Sequence, residues 1–136
     1  MLDRMRELAR AQKSFTFETT LASRSFAPWI GELRTAGYHF HLFYIWLPDP
    51  ALAVARVATR VRLGGHHVPE EVVRRRYLAG LKNFYSLYQP LANSWGFYDN
   101  SIGGSPVPVA RGIFGEVRNV HDAVLWSRVK ELGGAT

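Results

Sequence analysis

The hydrophobic pattern at the start of the chain switches between a helical period and a strand period. Leucine, methionine and alanine at helical spacing predict an amphipathic helix over residues 2–13, and Ser14–Phe17 predicts a short strand. Ser23 or Ser25 is suited to cap a second helix, which we expect to end at Gly37. The chain is therefore predicted to begin in the order helix, strand, helix.

The central part of the chain continues this alternation. Tyr38–Leu47 is a continuous apolar and aromatic run, which is typical of a strand covered on both faces of a parallel sheet. Asp49 followed by Pro50 predicts the start of the next helix, in cap-then-proline order. A break at residues 63–69 precedes a long helix. The remaining predicted elements are helix Pro69–Leu91, strands Trp95–Asp99, Val107–Ala110 and Gly115–Asn119, and helix His121–Leu132.

Strands that alternate with helices predict an α/β fold with a mostly parallel sheet joined by right-handed crossovers. The 136 residues suit one compact domain. No stretch approaches the roughly 18 apolar residues of a membrane span, so no membrane partner is expected. The chain has no cysteine and no signal-peptide pattern at its start, and we therefore expect a cytoplasmic protein.

The net charge and its distribution indicate which kinds of ligand the chain is expected to bind. The net charge is +6, and six of the 17 basic residues lie between Arg56 and Arg76, all of them arginine. Clustered guanidinium groups favour planar, bidentate phosphate binding at one place over a diffuse nucleic-acid surface. The alternative is a basic helix face that is simply solvated. Phosphate binding is the preferred interpretation, and a nucleic-acid partner is not expected.

Polar side chains follow the first predicted strand directly. Glu18, Thr19 and Thr20 would lie at the carboxyl edge of a sheet, where open α/β sheets bind ligands. A carboxylate there can accept hydrogen bonds from a sugar hydroxyl or from the water shell of Mg²⁺. The alternative is that these residues only cap the following helix.

Two glycines, Gly64 and Gly65, separate the two arginine-bearing helices. They predict either an ordinary helix-hairpin turn or the hinge of a lid that closes arginines over a phosphoryl group. Arginine on both sides of the turn favours the lid. His66 and His67 follow, but no carboxylate or third histidine lies at ligand spacing, so no metal site is predicted there. His39 and His41 are interpreted as structural.

A set of short motifs resembles the zeta-toxin-like P-loop kinases, in order and in spacing, over about residues 1–110. The motifs begin at Phe17, Tyr44, Arg56, Gly64, Arg74 and Tyr98, and read Phe-Glu-Thr-Thr-Leu, Tyr-Ile-Trp-Leu-Pro, Arg-Val-Ala-Thr-Arg-Val, Gly-Gly-His-His-Val-Pro, Arg-Arg-Arg-Tyr and Tyr-Asp-Asn-Ser. Within that family, the chain is most similar to the predicted bacterial ATPases. The resemblance implies a kinase domain at residues 1–102 with a lid at 64–69, and a C-terminal extension at 103–136 with short strands and a helix.

The family also implies a reaction and roles for residues. Its best-known members use ATP and Mg²⁺ to phosphorylate UDP-N-acetylglucosamine, so a UDP-sugar is the implied small-molecule substrate. By resemblance, the lid and phosphate arginines, which would be catalytic, are Arg56, Arg60, Arg75 and Arg76. Glu18 and Thr20 would bind the substrate, and Tyr98 and Asn100 would lie near the nucleotide.

One family motif is missing from these 136 residues. There is no Gly-x-x-x-x-Gly-Lys-Ser/Thr loop, and none of Lys13, Lys82 and Lys130 follows a glycine-rich turn. The expectation is a partial P-loop sandwich without its phosphate-loop strand, with little or no kinase activity of its own. It would arise from a late start codon, a truncated gene or a decayed gene. Its open sheet edge would pair with a second copy or with a complementing chain. That alternative, non-catalytic role stays open beside the kinase, with nucleic-acid binding a third.

Overall fold

The computed structural model describes residues 2–134, and side chains from residue 3 onward. Within these residues, six helices, a π-helical turn and four strands follow one another in a mixed α/β arrangement. In chain order the elements are α1 Leu2–Arg10, α2 Phe26–Thr35, β1 His41–Trp46, α3 Pro50–Arg62, α4 Glu70–Asn83, the π-helical turn Phe84–Tyr88, α5 Gln89–Leu91, β2 Ser94–Asp99, β3 Val107–Ile113, β4 Glu116–Val120 and α6 Ala123–Leu132.

The four strands form one sheet in the order β1-β2-β3-β4. β1 and β2 are parallel, with Leu42 opposite Trp95, whereas β2–β3 and β3–β4 are antiparallel. The prediction of a mostly parallel sheet is therefore wrong for the described residues. It holds only for the β1–β2 pair, because only these two strands are joined by a helical crossover, and β3 and β4 form a hairpin instead.

The prediction of a strand at Ser14–Phe17 is also wrong. Residues 13–20 have no regular secondary structure and pair with no strand of the described chain. The segment is held by aromatic contacts instead: the Phe15 ring lies 5.9 Å from that of Trp29, and the Phe17 ring lies 5.4 Å from that of Phe26. An isolated run of strand-forming residues gains no ladder hydrogen bonds without a neighbour, so side-chain packing on α2 decides its path.

The core lies on one face of the sheet and is dominated by aromatic side chains. Phe84 and Phe97 are fully buried with rings 5.4 Å apart, and Trp95 stacks on Trp126 at 5.6 Å. Trp126 belongs to α6, and Val109 of β3 is buried in the same cluster. β3 and β4 of the predicted C-terminal extension therefore belong to the same sheet as the central strands, and β3 and α6 also contribute to the same core, whereas β4 is exposed.

The opposite face of β1 is bare. Leu42 and Trp46 are buried, but Phe43 is 69% exposed and Ile45 is 48% exposed. The prediction that this strand is covered on both faces is wrong, because α4, the π-helical turn and α6 pack on the other face and no described helix lies over Phe43. Among the described helices, none has both the length and the apolar composition that crossing a bilayer requires.

Candidate functional site

The parallel strands β1 and β2 end side by side in a cluster of polar groups. The backbone N–H of Asn100 donates to the Trp46 carbonyl at 2.9 Å, which joins the two strand ends. The Asp99 carboxylate accepts hydrogen bonds from the N–H of Ser101 at 2.9 Å and from its hydroxyl at 3.2 Å. The carboxyl ends of adjacent parallel strands are where α/β sheets bind ligands, so this edge is the candidate site.

Helix α3 begins at this edge and brings an arginine to it. The Asp49 carboxylate caps the helix by accepting from the N–H of Leu52 at 2.9 Å, with Pro50 in the first turn, as the sequence predicted. Two turns later Arg56, which is half-buried, donates from Nη2 to the Ser101 carbonyl at 3.1 Å. Arg56 thus connects the helical hairpin to the polar cluster at the end of β2.

Helices α3 and α4 pack against each other as a hairpin with an exposed tip. Gly64 has a φ of +96°, which favours glycine, and the N–H of Gly65 donates to the Arg60 carbonyl at 2.8 Å. This geometry fits both sequence interpretations, the ordinary turn and the hinge of a lid. Either interpretation needs a glycine turn at the end of two helices, and the geometry does not distinguish them.

The hairpin carries exposed guanidinium groups on both helices. Arg60 lies one turn beyond Arg56 on α3, and Arg75 and Arg76 are exposed on α4. Within residues 3–134 none of these three forms an ion pair, whereas their neighbour Arg74 binds Glu70 at 2.9 Å. Their charge is therefore not neutralised by a carboxylate of the described chain.

Glu18 and Thr20, predicted at the carboxyl edge of the sheet, lie elsewhere. Both are exposed in the unpaired segment, and the Thr20 hydroxyl accepts from the N–H of Ala22 at 3.3 Å, in a local turn. The Thr20 carbonyl lies directly over Gly80 of α4, where any Cβ would collide with it. The placement at a strand end is wrong because the strand itself does not form. The segment nevertheless contacts α4 one helical turn from Arg76.

The two residues predicted near the nucleotide lie in different surroundings. Asn100 follows β2 directly, and its side-chain oxygen is buried without a hydrogen-bond partner in the described chain. Tyr98 lies on the bare face instead, where its ring packs over Gly96 and stands 6.3 Å from that of Phe43. Asn100 therefore belongs to the polar edge, whereas Tyr98 borders the exposed apolar face.

Two polar side chains that hold the site were missed from the sequence. The Tyr77 hydroxyl donates to the Leu47 carbonyl at 2.6 Å and ties α4 to the end of β1, and burial raises the pKa of Tyr77. Asn83, buried on α4, donates to the carbonyls of Leu21 and Ala22 at 2.8 and 3.2 Å. Leu21 has a φ of +60°, a strained conformation for a leucine, which these bonds help to hold.

An open cleft of about 350 Å³ adjoins the polar edge. It is lined by Asp99 from β2, by Val109 from β3 and by His121 and Asp122 before α6. Its volume is at the lower end of the range for small-molecule sites. No group of three His, Cys, Asp or Glu side chains in the described part of the chain is arranged to hold a metal ion. The cleft is therefore the concave surface that lies next to Asp99 at this edge.

Comparison with known proteins leaves the family open. No family model matches the chain, and no solved structure matches it. An uncharacterized protein of Haemophilus influenzae is 33% identical over 63 residues, which are 46% of this chain and 45% of that protein. The match thus spans less than half the length of this relative. It shows similarity of a segment, and it assigns neither a fold nor an activity.

Proposed function

We propose that this chain forms the substrate and arginine-lid part of a zeta-toxin-like kinase. The class of reaction is transfer of the γ-phosphoryl group of ATP to a hydroxyl of a small, nucleotide-sugar-like substrate. The observation that carries the proposal is the position of Arg56. It extends from an arginine-rich hairpin to the carboxyl ends of two parallel strands, with its guanidinium group 3.1 Å from the Ser101 carbonyl.

The charge of the hairpin suits phosphoryl transfer. Negative charge spreads over the oxygens of the transferring group in the transition state, and preorganised arginines stabilise it. Arg60, Arg75 and Arg76 have no carboxylate partner in the described chain, so each can bind a phosphate without first breaking an ion pair. The Thr20 carbonyl lies over Gly80 of α4, one helical turn from Arg76, and Glu18 and Thr20 would contact the substrate.

The described residues do not fit a complete site for ATP with Mg²⁺. The 136 residues contain no glycine-rich loop ending in lysine, and the described side chains offer no cluster of metal ligands. A backbone cradle and a lysine for the phosphates are the main positioning groups of such kinases. We therefore propose that the chain binds phosphorylated ligands through its arginines but is inactive as a kinase by itself.

Binding of UDP-N-acetylglucosamine, measured by titration calorimetry, tests the site. Arg60→Ala is expected to weaken binding about tenfold, because one charge-assisted contact contributes about 1.4 kcal/mol or more. Arg118→Ala is the matched control, since Arg118 is also exposed but lies on β4 beside Glu116. Equal losses in the two variants, or no binding by the unmodified chain, would overturn the proposed site.

Activity and salt dependence test the remaining parts of the proposal. The purified chain is expected to hydrolyse no ATP, and hydrolysis that Arg60→Ala abolishes would show that the chain is a complete enzyme. A nucleic-acid binder would instead retain single-stranded DNA with an affinity that falls steeply with salt. Such binding, without affinity for the nucleotide sugar, would replace the kinase proposal with the basic nucleic-acid alternative.

A further inference from the structure

The outer edge of β1 exposes backbone hydrogen-bonding groups. The carbonyls of Phe40 and Trp46 accept from Asn93 and Asn100, so the even-numbered residues of this strand direct their backbone groups toward β2. The N–H and C=O groups of His41, Phe43 and Ile45 must then point to the opposite side. No strand of the described chain pairs with that side, because β1 is the first strand of the sheet order.

This edge lacks the features that usually protect an edge strand. Natural edges carry lysine, proline, bulges or inward-pointing charges, which prevent pairing with other chains. β1 reads His-Leu-Phe-Tyr-Ile-Trp, with no lysine, arginine, carboxylate or proline, and its pairing with β2 is free of bulges. Its outward side chains Phe43 and Ile45 are 69% and 48% exposed. The strand therefore has the composition of an interior strand at the position of an edge.

We propose that two copies of this chain associate through β1, paired antiparallel about a twofold axis at Phe43. In this register Phe43 faces Phe43 of the second copy, and His41 faces Ile45. All of these residues have their side chains on the same face of the sheet, as an antiparallel ladder requires. The twofold axis repeats the His41–Ile45 pair, so there are three facing pairs. Each pair exchanges two backbone hydrogen bonds, which makes six in total. The pairing is isologous, so it closes on itself as a dimer.

The sequence of β1 favours a second copy of itself as the occupant of this edge. The central cross-strand contact joins two aromatic rings, a pairing that stabilises sheets, and no like charges face each other in the register. Each copy carries a net charge of +6, so the two copies repel each other at long range. Salt screens that repulsion, and we therefore expect the dimer to become tighter as the salt concentration rises.

Sedimentation velocity over a hundredfold range of protein concentration tests the proposal. The unmodified chain is expected to change from monomer to dimer, with a dissociation constant that falls when salt is added. A monomer at every concentration would overturn the proposal. Association that weakens with added salt would also overturn it, because bridging by a nucleic acid behaves in that way.

Phe43→Lys tests the register, since it places two like charges against each other at the twofold axis. This variant is expected to be monomeric at all concentrations, with an unchanged circular dichroism spectrum because residue 43 is exposed. Val124→Lys is the matched control: Val124 is 84% exposed on α6, far along the chain from β1, and this variant should dimerise normally. Equal effects of the two substitutions would overturn the pairing through β1.

Hydrogen exchange gives an independent reading of the same edge. In the monomer the amides of Leu42, Tyr44 and Trp46 are protected by β2, whereas those of Phe43 and Ile45 face solvent. Dimerisation is expected to slow exchange at Phe43 and Ile45 at least tenfold and to leave Val117 on β4 unchanged. A dimer without slowed exchange at Phe43 would place the interface elsewhere and overturn the proposal. The result does not depend on phosphate binding, so it is separate from the test of the proposed function.

Discussion

The two faces of the sheet carry similar aromatic side chains, but one face is buried and the other is exposed to solvent. On the inner face Phe97 is fully buried, with aromatic rings of Phe84 and Trp126 each 5.4 Å away. On the outer face Phe43, a neighbour on the adjacent strand, is 69% exposed. The amino-acid type is the same, so what differs is the presence of helices to cover it. Burial is therefore a property of the topology, and composition alone does not give it.

The largest expected effect separates these two phenylalanines. Phe97→Ala should lower the free energy of unfolding by about 3–5 kcal/mol, because it removes a buried ring and leaves a cavity among aromatic neighbours. Phe43→Ala should change the free energy of unfolding by no more than about 0.5 kcal/mol in the monomer. Urea denaturation at a protein concentration below that of self-association measures both. Similar losses in the two variants would mean that the outer face is covered after all.

A pair of helical glycines tests how tightly the covered side is filled. Gly80 of α4 lies beneath the Thr20 carbonyl, and Gly31 of α2 has open space around it. Gly80→Ala is expected to destabilise the fold by about 1–3 kcal/mol, because residues 18–22 must move away from α4. Gly31→Ala is expected to stabilise the fold by about 0.5–1 kcal/mol through helix propensity alone. Thermal unfolding of both variants gives the comparison, and a stabilising Gly80→Ala would show that the segment is not packed there.

The sequence predicted the elements whose signals are local. Asp49 with Pro50 correctly marks the start of α3, and the apolar runs correctly locate β1 and β2. The wrong predictions concern features that depend on contacts with other elements of the fold. Whether residues 14–17 form a strand depends on a pairing partner, and whether β1 is covered on both faces depends on which helices lie over it. Neither is encoded in the local pattern of hydrophobic residues.

The same distinction holds for the candidate site. The one-turn spacing of Arg56 and Arg60 predicted that they share a helix face, and Arg56 does lie at the strand ends. Asn83 could not be identified, because its partners are 61 and 62 residues away along the chain, and a single asparagine in a helix gives no signal. The predicted position of Glu18 and Thr20 was wrong because the strand before them has no pairing partner and does not form. Positions fixed by short-range geometry were predictable, and positions fixed by tertiary contacts were not.

The smallest expected effect concerns an unpaired hydroxyl group on the side of the sheet that the helices cover. The hydroxyl of Tyr85 is buried without a hydrogen-bond partner in the described chain, and burial raises the pKa of Tyr85 above the ordinary value of about 10. A raised pKa means that the folded state favours the neutral phenol. This contribution to stability is complete below pH 10 and is lost as the pH rises above it, at about 1.4 kcal/mol per pH unit for one group.

Tyr85→Phe should therefore act in two ways. At pH 7 it is expected to leave the free energy of unfolding unchanged or to raise it by about 1 kcal/mol, because the unpaired hydroxyl is removed while the ring packing stays. Above pH 10 it should reduce the alkaline loss of stability, although Tyr44, whose pKa burial also raises, keeps part of it. Urea denaturation at pH 7, 9 and about 10.5 measures both effects. Tyr38→Phe is the control, since its hydroxyl donates to the Lys13 carbonyl at 2.9 Å and should cost stability at pH 7. If Tyr85→Phe is as costly at pH 7 as Tyr38→Phe, the Tyr85 hydroxyl has a partner, and the covered side of the sheet has no such defect.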